Sequence, residues 1–190
     1  MRSLAHLAGV LALAMPVASL AQDSGSDSQR LQIAGEARPA CVISQPAAVG
    51  GVNAVFAASG PAGGTITITQ LVNPQTAEPE AASVEISLPA ICNTAHRVVV
   101  TSADGGLQRV GGQRGLRGND NTFGDMLPYS IAFDWGSLRL DGTSDDAPFE
   151  AQQDATQGEM RLTIATTAGG GFLTAGTYSD NVTIRFEPAS

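Results

Sequence analysis

Thr65-Ile66-Thr67-Ile68-Thr69 places two isoleucines on one side of an extended chain and three threonines on the other. Successive side chains of a β-strand point to opposite faces, so this period of two is typical of a strand with one buried face. All five side chains are also branched at the β carbon, which favours a strand over a helix. The segment therefore predicts a half-buried strand.

The same alternation of apolar and polar residues recurs outward from this segment. It predicts four further strands, at residues 84–88, 130–135, 160–164 and 182–186, and the more continuously apolar run at 97–101 is typical of a central strand. Two runs within residues 31–43 and a weak run at 52–56 raise the expected number to eight or nine. Glycine-rich turns separate the runs, and no helical period is sustained. Many short strands joined by such turns predict an all-β fold, an antiparallel sandwich or barrel.

The charged residues exclude several classes of function. The 190-residue chain has 18 acidic and 10 basic residues, with a formal net charge of −8 at pH 7, and every basic residue is an arginine. Without lysine the chain has neither a Schiff-base residue nor the lysine of a phosphate-binding loop. An acidic surface also repels nucleic acids and anionic lipids, so we expect no nucleic-acid partner. Residues 39–77 carry no charged side chain at all.

Residues 1–21 have the organisation of a secretory signal peptide. Arg2 precedes an apolar stretch, and Ser19-Leu20-Ala21 supplies the small residues of a cleavage site, which leaves Gln22 as the first mature residue. The alternative, a membrane anchor, needs about 20 apolar residues, and a proline and a serine interrupt this run. No later segment has an apolar run of even 18 residues. We therefore expect a secreted protein without a transmembrane segment once the signal is removed.

Cys41 and Cys92 are the two cysteines of the chain. Oxidising compartments preserve disulfides, and two cysteines allow a single intramolecular pair. A metal site would need more ligands, and a catalytic thiol would need a histidine partner. After the signal peptide the chain has one histidine, His96, which we expect at the surface next to the start of a strand. A disulfide is therefore the expected state of these cysteines.

No catalytic motif is recognisable in the chain. It has no Gly-x-Ser-x-Gly nucleophile turn, and the spacing of its serines, carboxylates and His96 fixes no catalytic group. The acidic turn at residues 141–146 offers oxygen ligands that suit calcium, but its spacing is not that of an EF-hand loop, and a solvated turn is the alternative. We therefore expect no enzymatic activity, no cofactor and no metal.

The last predicted strand lies close to Ser190, so we expect any further edge strand to come from the N-terminal region or from another molecule. Residues 22–38 form a predicted flexible extension that contains a candidate. In residues 31–37 the residues Leu31, Ile33, Gly35 and Ala37 share one face. Leu31 and Ile33 are the larger anchors of this candidate donor strand. The alternative is that the segment forms the first strand of its own domain.

Two motifs resemble a known family. Ala175-Gly176-Thr177-Tyr178-Ser179-Asp180-Asn181-Val182 is similar to the pattern that opens the last strand of spore coat protein U domains, whose members include subunits of archaic chaperone–usher pili. Leu127-Pro128-Tyr129-Ser130, followed by Trp135-Gly136, resembles the tyrosine-containing strand before it. Cys41 and Cys92 lie where the family has its early disulfide. The resemblance covers residues 41–188.

The resemblance implies an incomplete immunoglobulin-like antiparallel β-sandwich over residues 39–190, completed by a neighbour's donor strand. The implied acceptor edge comprises Gly176, Tyr178, Asp180, Val182, Ile184 and Phe186. The implied partners are neighbouring pilus subunits, of the same or another kind, a periplasmic chaperone and an outer-membrane usher. The protein would pass through the periplasm to the cell surface or a pilus and serve attachment or biofilm formation.

The alternative hypothesis is a self-complete periplasmic or extracellular module that binds carbohydrate or protein. Its binding surface would be formed by loops such as residues 109–125, which contain three arginines among glycines. This module would be a monomer with an edge strand of its own. The two hypotheses therefore differ in whether the sandwich lacks a strand.

Overall fold

The computed structural model describes residues 30–61 and 63–189. The predicted signal peptide and residues 22–29 lie outside this part of the chain. The chain divides into two units, Met1–Glu36 and Ala37–Ser190. In the first unit the described residues, 30–36, are exposed and belong to no strand or helix.

The second unit is almost entirely β-structure. Its described residues form one short 3₁₀ helix, Ser144–Asp146, and sixteen strands. The strands are β1 Cys41–Ile43, β2 Ala47–Val52, β3 Ala54–Ala58, β4 Gly64–Ile68, β5 Ala82–Cys92, β6 His96–Ser102, β7 Leu107–Arg109, β8 Phe123–Gly124, β9 Met126–Leu127, β10 Ser130–Trp135, β11 Leu138–Thr143, β12 Phe149–Gln153, β13 Thr156–Thr166, β14 Phe172–Leu173, β15 Tyr178–Ser179 and β16 Val182–Pro188.

The larger sheet has the strand order β1-β5-β13-β10-β11, and β2 also pairs with β5, next to β1. All of its pairs are antiparallel. Its two longest strands, β5 and β13, have 11 residues each and pair along their whole length. Their inward side chains, such as Ile86 and Leu162, lie directly opposite each other and are buried.

The second sheet has the order β12-β6-β16, also antiparallel. It packs against the larger sheet through Trp135 of β10, whose ring centroid lies 5.0 Å from that of His96 in β6 and 5.6 Å from that of Phe186 in β16. Residues of both sheets, among them Phe133 and Val98, form one buried core. The predicted all-β antiparallel sandwich is therefore confirmed.

The predicted strands agree with the structure where the alternation is clearest. The five alternating runs lie in β4, β5, β10, β13 and β16, and the continuous apolar run at 97–101 lies in β6. The weak run at residues 52–56 is divided between β2 and β3 by Asn53, which has a φ of 53°. The sequence pattern missed β11 and β12, and residues 31–40 contain no strand. Within the described residues, no helix is long and apolar enough to cross a membrane.

Candidate functional site

A cleft of about 960 Å³ opens between the two sheets of the Ala37–Ser190 unit. Its floor is formed by inward side chains of β5 and β13, such as Ile86 and Leu162. β16 forms one wall, and Ile43 of β1 and the hairpin formed by β3 and β4 also line the cleft. Most of these side chains are apolar, so the cleft exposes surface that a sandwich ordinarily buries.

The β16 wall has an unpaired backbone edge. Among the described residues, β16 pairs only with β6. Ala103 N donates to Asn181 O at 3.0 Å and Ala189 N donates to Ala95 O at 3.2 Å, at the two ends of this ladder. Since hydrogen-bonded pairs alternate along an antiparallel ladder, the amides and carbonyls of residues 182, 184 and 186 point away from β6. Three residues of β16 thus offer backbone groups to a further strand.

The same three residues direct their side chains into the cleft. Val182, Ile184 and Phe186 are only half-buried, whereas the residues between them on β16 belong to the outer face. An unpaired edge with apolar inward side chains has the chemistry of a site for strand addition. Such a site binds an extended segment through main-chain hydrogen bonds and alternate side chains.

Asp180 anchors the beginning of β16 to the neighbouring loops. Its carboxylate accepts hydrogen bonds from five donors: Ser102 Oγ, Ala103 N at 3.1 Å, Asp104 N at 3.0 Å, the Tyr129 hydroxyl at 2.8 Å and Asn181 N at 2.6 Å. Burial of Tyr129, together with this carboxylate, raises the pKa of the tyrosine hydroxyl. Asp180 thus accepts local backbone donors and also joins three separate segments of the chain.

The predicted acceptor strand is two strands. Tyr178 lies in β15, which pairs with β7, and the chain leaves this ladder at Asp180 before β16 begins. The Tyr178 hydroxyl donates to Thr174 O at 2.7 Å, and its burial raises the hydroxyl pKa. Gly176 precedes β15, and a side chain here would displace that of Arg109, because a Cβ would lie 2.8 Å from Arg109 Cδ.

All six predicted acceptor residues nevertheless line one cleft. Val182, Ile184 and Phe186 form the long wall, while Gly176, Tyr178 and Asp180 lie at its polar end. The predicted donor residues lie elsewhere along the chain: Leu31 and Ile33 are 84% and 87% exposed, and Gly35 and Ala37 are also exposed. None of these four belongs to a strand.

The expected disulfide joins Cys41 of β1 to Cys92 of β5. The predicted position of His96 is wrong, because its side chain is buried, with 1% exposure, beside this disulfide and against Trp135. Cys41, Cys92 and His96 are the single group of candidate metal ligands in the described part of the chain. The two sulfurs are bonded to each other, so this group offers no thiolate to a metal.

The loop proposed as an alternative binding surface is held by ion pairs. Arg109 Nε lies 2.6 Å from Asp125 Oδ1, and Gln113 N donates to Asp125 Oδ2 at 2.7 Å. The other two arginines of the loop pair with Asp104 and with Asp145. The Arg109 guanidinium and the Gln113 amide lower the pKa of Asp125 to about 2. The three arginines therefore already have carboxylate partners.

The sequence pattern missed the part that the β3–β4 hairpin plays in the cleft. The alternation of residues 65–69 predicts a half-buried strand, but it does not predict the wall of a cleft. The stretch without charge, residues 39–77, is a signal for it, since it supplies much of the lining outside β5, β13 and β16. A long run of neutral residues is what an apolar cleft requires.

Comparison of the chain with protein-family models, with curated proteins and with solved structures finds no match. The resemblance to spore coat protein U domains therefore rests on the quoted motifs, and it stays a prediction. The cleft and its unpaired edge stand on the geometry alone.

Proposed function

We propose that this protein is a structural, non-enzymatic subunit of a secreted pilus or coat-like surface fibre. In this fibre, residues 31–37 of one copy enter the cleft of the next and pair with β16. The observation that carries the proposal is the apolar cleft beside the unpaired edge of β16. A self-complete binding module would need its own strand at this edge.

The candidate donor segment supports the same arrangement. Its larger anchors, Leu31 and Ile33, are almost fully exposed, so the segment has apolar side chains to bury. The cleft has apolar side chains to cover and backbone groups to pair. Burial of apolar surface and main-chain pairing are the two contributions that strand addition combines. A second copy of the chain supplies the complement that each copy needs.

A subunit of this kind implies helper proteins. Before assembly the cleft would expose both apolar surface and a strand edge, which favour aggregation. The proposal therefore includes a periplasmic chaperone that covers the cleft during export and an outer-membrane usher that assembles the fibre. Attachment of cells to a surface is the role proposed for the assembled fibre.

The test uses the secreted chain, residues 22–190, with both donor anchors replaced by aspartate, Leu31→Asp and Ile33→Asp. We expect the wild-type chain to form polymers, measured by light scattering after size-exclusion chromatography, and the double variant to be monomeric. A peptide of residues 22–38 at 100 times its Kd should raise the Tm of the variant by about 5–10 °C.

The matched control places the same two charges on the other face of the segment, as Gln32→Asp and Ala34→Asp. It should still polymerise, because its anchors are intact. Two results together would contradict the proposal and favour the self-complete binding module. The wild-type chain would stay monomeric, and the peptide would leave the Tm of the double variant unchanged.

A further inference from the structure

The hairpin of β3 and β4 is a separate wall of the cleft. Among the described residues, these two strands pair with each other and with neither sheet of the sandwich. The base of the hairpin is fixed by Asn53, whose Nδ2 donates to Gln70 O at 2.7 Å and to Ala81 O at 3.2 Å. Asn53 Oδ1 also accepts from Gln70 N at 2.9 Å. The hairpin is thus fixed at its base by side-chain hydrogen bonds, while its two strands form no backbone ladder with either sheet.

The two faces of the hairpin differ in chemistry. Phe56, Ile66 and Ile68 line the cleft and are half-buried. On the other face Val55 is 61% exposed and does not line the cleft. The threonines of β4, Thr65 and Thr67, are exposed as well, but they also line the cleft. The inward side chains are incompletely buried although they point at the core, because the cleft in front of them is open. A strand in the cleft would therefore cover them.

The position of the Phe56 ring depends on Gly64. The two strands pair across Ala58 and Gly64, and the ring of Phe56 lies over the glycine. A Cβ at residue 64 would lie 2.3 Å from both Cε2 and Cζ of this ring. No Cβ approaches other atoms so closely, so any side chain at residue 64 must displace the ring. Glycine here keeps the largest inward side chain of the hairpin in the cleft.

We propose that the hairpin acts as a strap, which holds the incoming strand in the cleft through Phe56, Ile66 and Ile68. This inference rests on the proposed function, in which the strand is residues 31–37 of a second copy. The strand pairs with β16 on one side and packs its apolar side chains against the hairpin on the other. To leave, it must break the contacts with the hairpin as well as the ladder with β16.

A strap of this kind acts mainly on the rate of release. Contacts formed only after a strand has entered slow its departure more than they change its encounter with the cleft. The hairpin therefore lengthens the lifetime of the junction between two copies. Loss of one inward side chain should raise koff and leave kon nearly unchanged.

The experiment follows the release of a fluorescent peptide of residues 22–38 from the secreted chain that carries Leu31→Asp and Ile33→Asp. Phe56→Ala is made in this background, with Val55→Ala as the matched control on the outward face of the same strand. We expect Phe56→Ala to raise koff about tenfold or more and Val55→Ala to change it less than twofold. Gly64→Ala should also raise koff, because its Cβ would displace both the Phe56 ring and the backbone carbonyl of Ala57, which lies 2.7 Å away.

The outcomes separate the two proposals. If the parent chain binds no peptide, the proposed function fails and the strap fails with it. If the parent binds the peptide but Phe56→Ala and Val55→Ala release it at the same rate, the strap alone is overturned. Where thermal unfolding shows that Phe56→Ala does not fold, Ile66→Val and Ile68→Val take its place, and a koff equal to that of Val55→Ala again overturns the strap.

Discussion

Two neighbouring strands of the same sheet, β6 and β16, bury the same face to different extents. Val98 and Val100 of β6 are 0% exposed, while their direct cross-strand partners, Phe186 and Ile184 of β16, are half-buried. These side chains share one face of one sheet and face the same core. The difference lies in the neighbours, because among the described residues β6 has a paired strand on each side and β16 has one only.

This comparison shows that a strand's own sequence does not decide how deeply it is buried. Val182, Ile184 and Phe186 are as apolar as the inward residues of β6. Their half-burial accompanies the lack of a second paired strand beside β16 in the described part of the chain. The polar end of the cleft differs again, since Asp180 holds the beginning of β16 through five hydrogen bonds. The edge strand is thus anchored by polar contacts where it lacks packing.

The largest expected effect is a difference in stability between substitutions of two phenylalanines, one in each environment. Phe133 of β10 is 0% exposed, and Phe133→Ala should lower the free energy of unfolding by about 4 kcal/mol, because it leaves a cavity in closed packing. Phe186→Ala removes a half-covered ring from the open edge and should cost about 1–2 kcal/mol. Both substitutions are made in the secreted chain that carries Leu31→Asp and Ile33→Asp. Urea unfolding then measures how much each lowers the free energy of unfolding.

Binding of a peptide in the cleft tests the same difference between Phe186 and Phe133. With the peptide of residues 22–38 bound, the cost of Phe186→Ala should rise towards that of Phe133→Ala, which itself should change little. Equal losses for both variants in the free chain would contradict the view that β16 is uncovered.

An intermediate effect is expected at the anchor of the edge strand. Asp180→Ala leaves the Tyr129 hydroxyl and three backbone amides without their acceptor, which should cost about 2–3 kcal/mol. Hydrogen exchange should quicken at the amides of Thr183 and Arg185, which bond to β6, more than in the centre of β10. Ser179→Ala, an exposed neighbour, is the control. Uniform quickening of both strands would instead indicate that Asp180 stabilises the whole sandwich equally.

The strands could be predicted from local alternation because the side-chain period of a strand does not depend on its partner. Their burial could not. β12 is polar at alternate positions, and its Phe149 packs over Gly142 of β11, where a Cβ would lie 2.5 Å from Cε1 of the ring. That contact joins two strands that the pattern missed, and no local period reveals it.

His96 shows that one available signal was overlooked. It stands two residues before Val98 and four before Val100, so an extended chain places all three side chains on one face. The burial of those valines carries His96 into the core, where it packs against Trp135. Trp135 shares its face of β10 with Ile131 and Phe133, and the same rule of alternation places it in the core, where it is 1% exposed. The cleft, in contrast, depends on how separate strands pack around it, and alternation within one strand carries no trace of that.

The smallest expected effect is a pH dependence of the Tm. It distinguishes the loop of residues 109–125, which is held by ion pairs, from the sandwich, which is held by packing. Arg109 and the Gln113 amide hold the pKa of Asp125 at about 2, below its usual 3.8. A lowered folded pKa stabilises the folded loop above pH 4, and this contribution is lost as the pH falls through about 2. The difference in Tm between the wild-type chain and Asp125→Asn should therefore shrink between pH 4 and pH 2 and stay constant from pH 5 to pH 7.

In the same titration, the difference in Tm between the wild-type chain and Phe133→Ala should hardly change, since no proton is involved in that packing. A Tm difference for Asp125→Asn that is the same at pH 2 and pH 6 would mean that the loop, like the sandwich, is held by its packing.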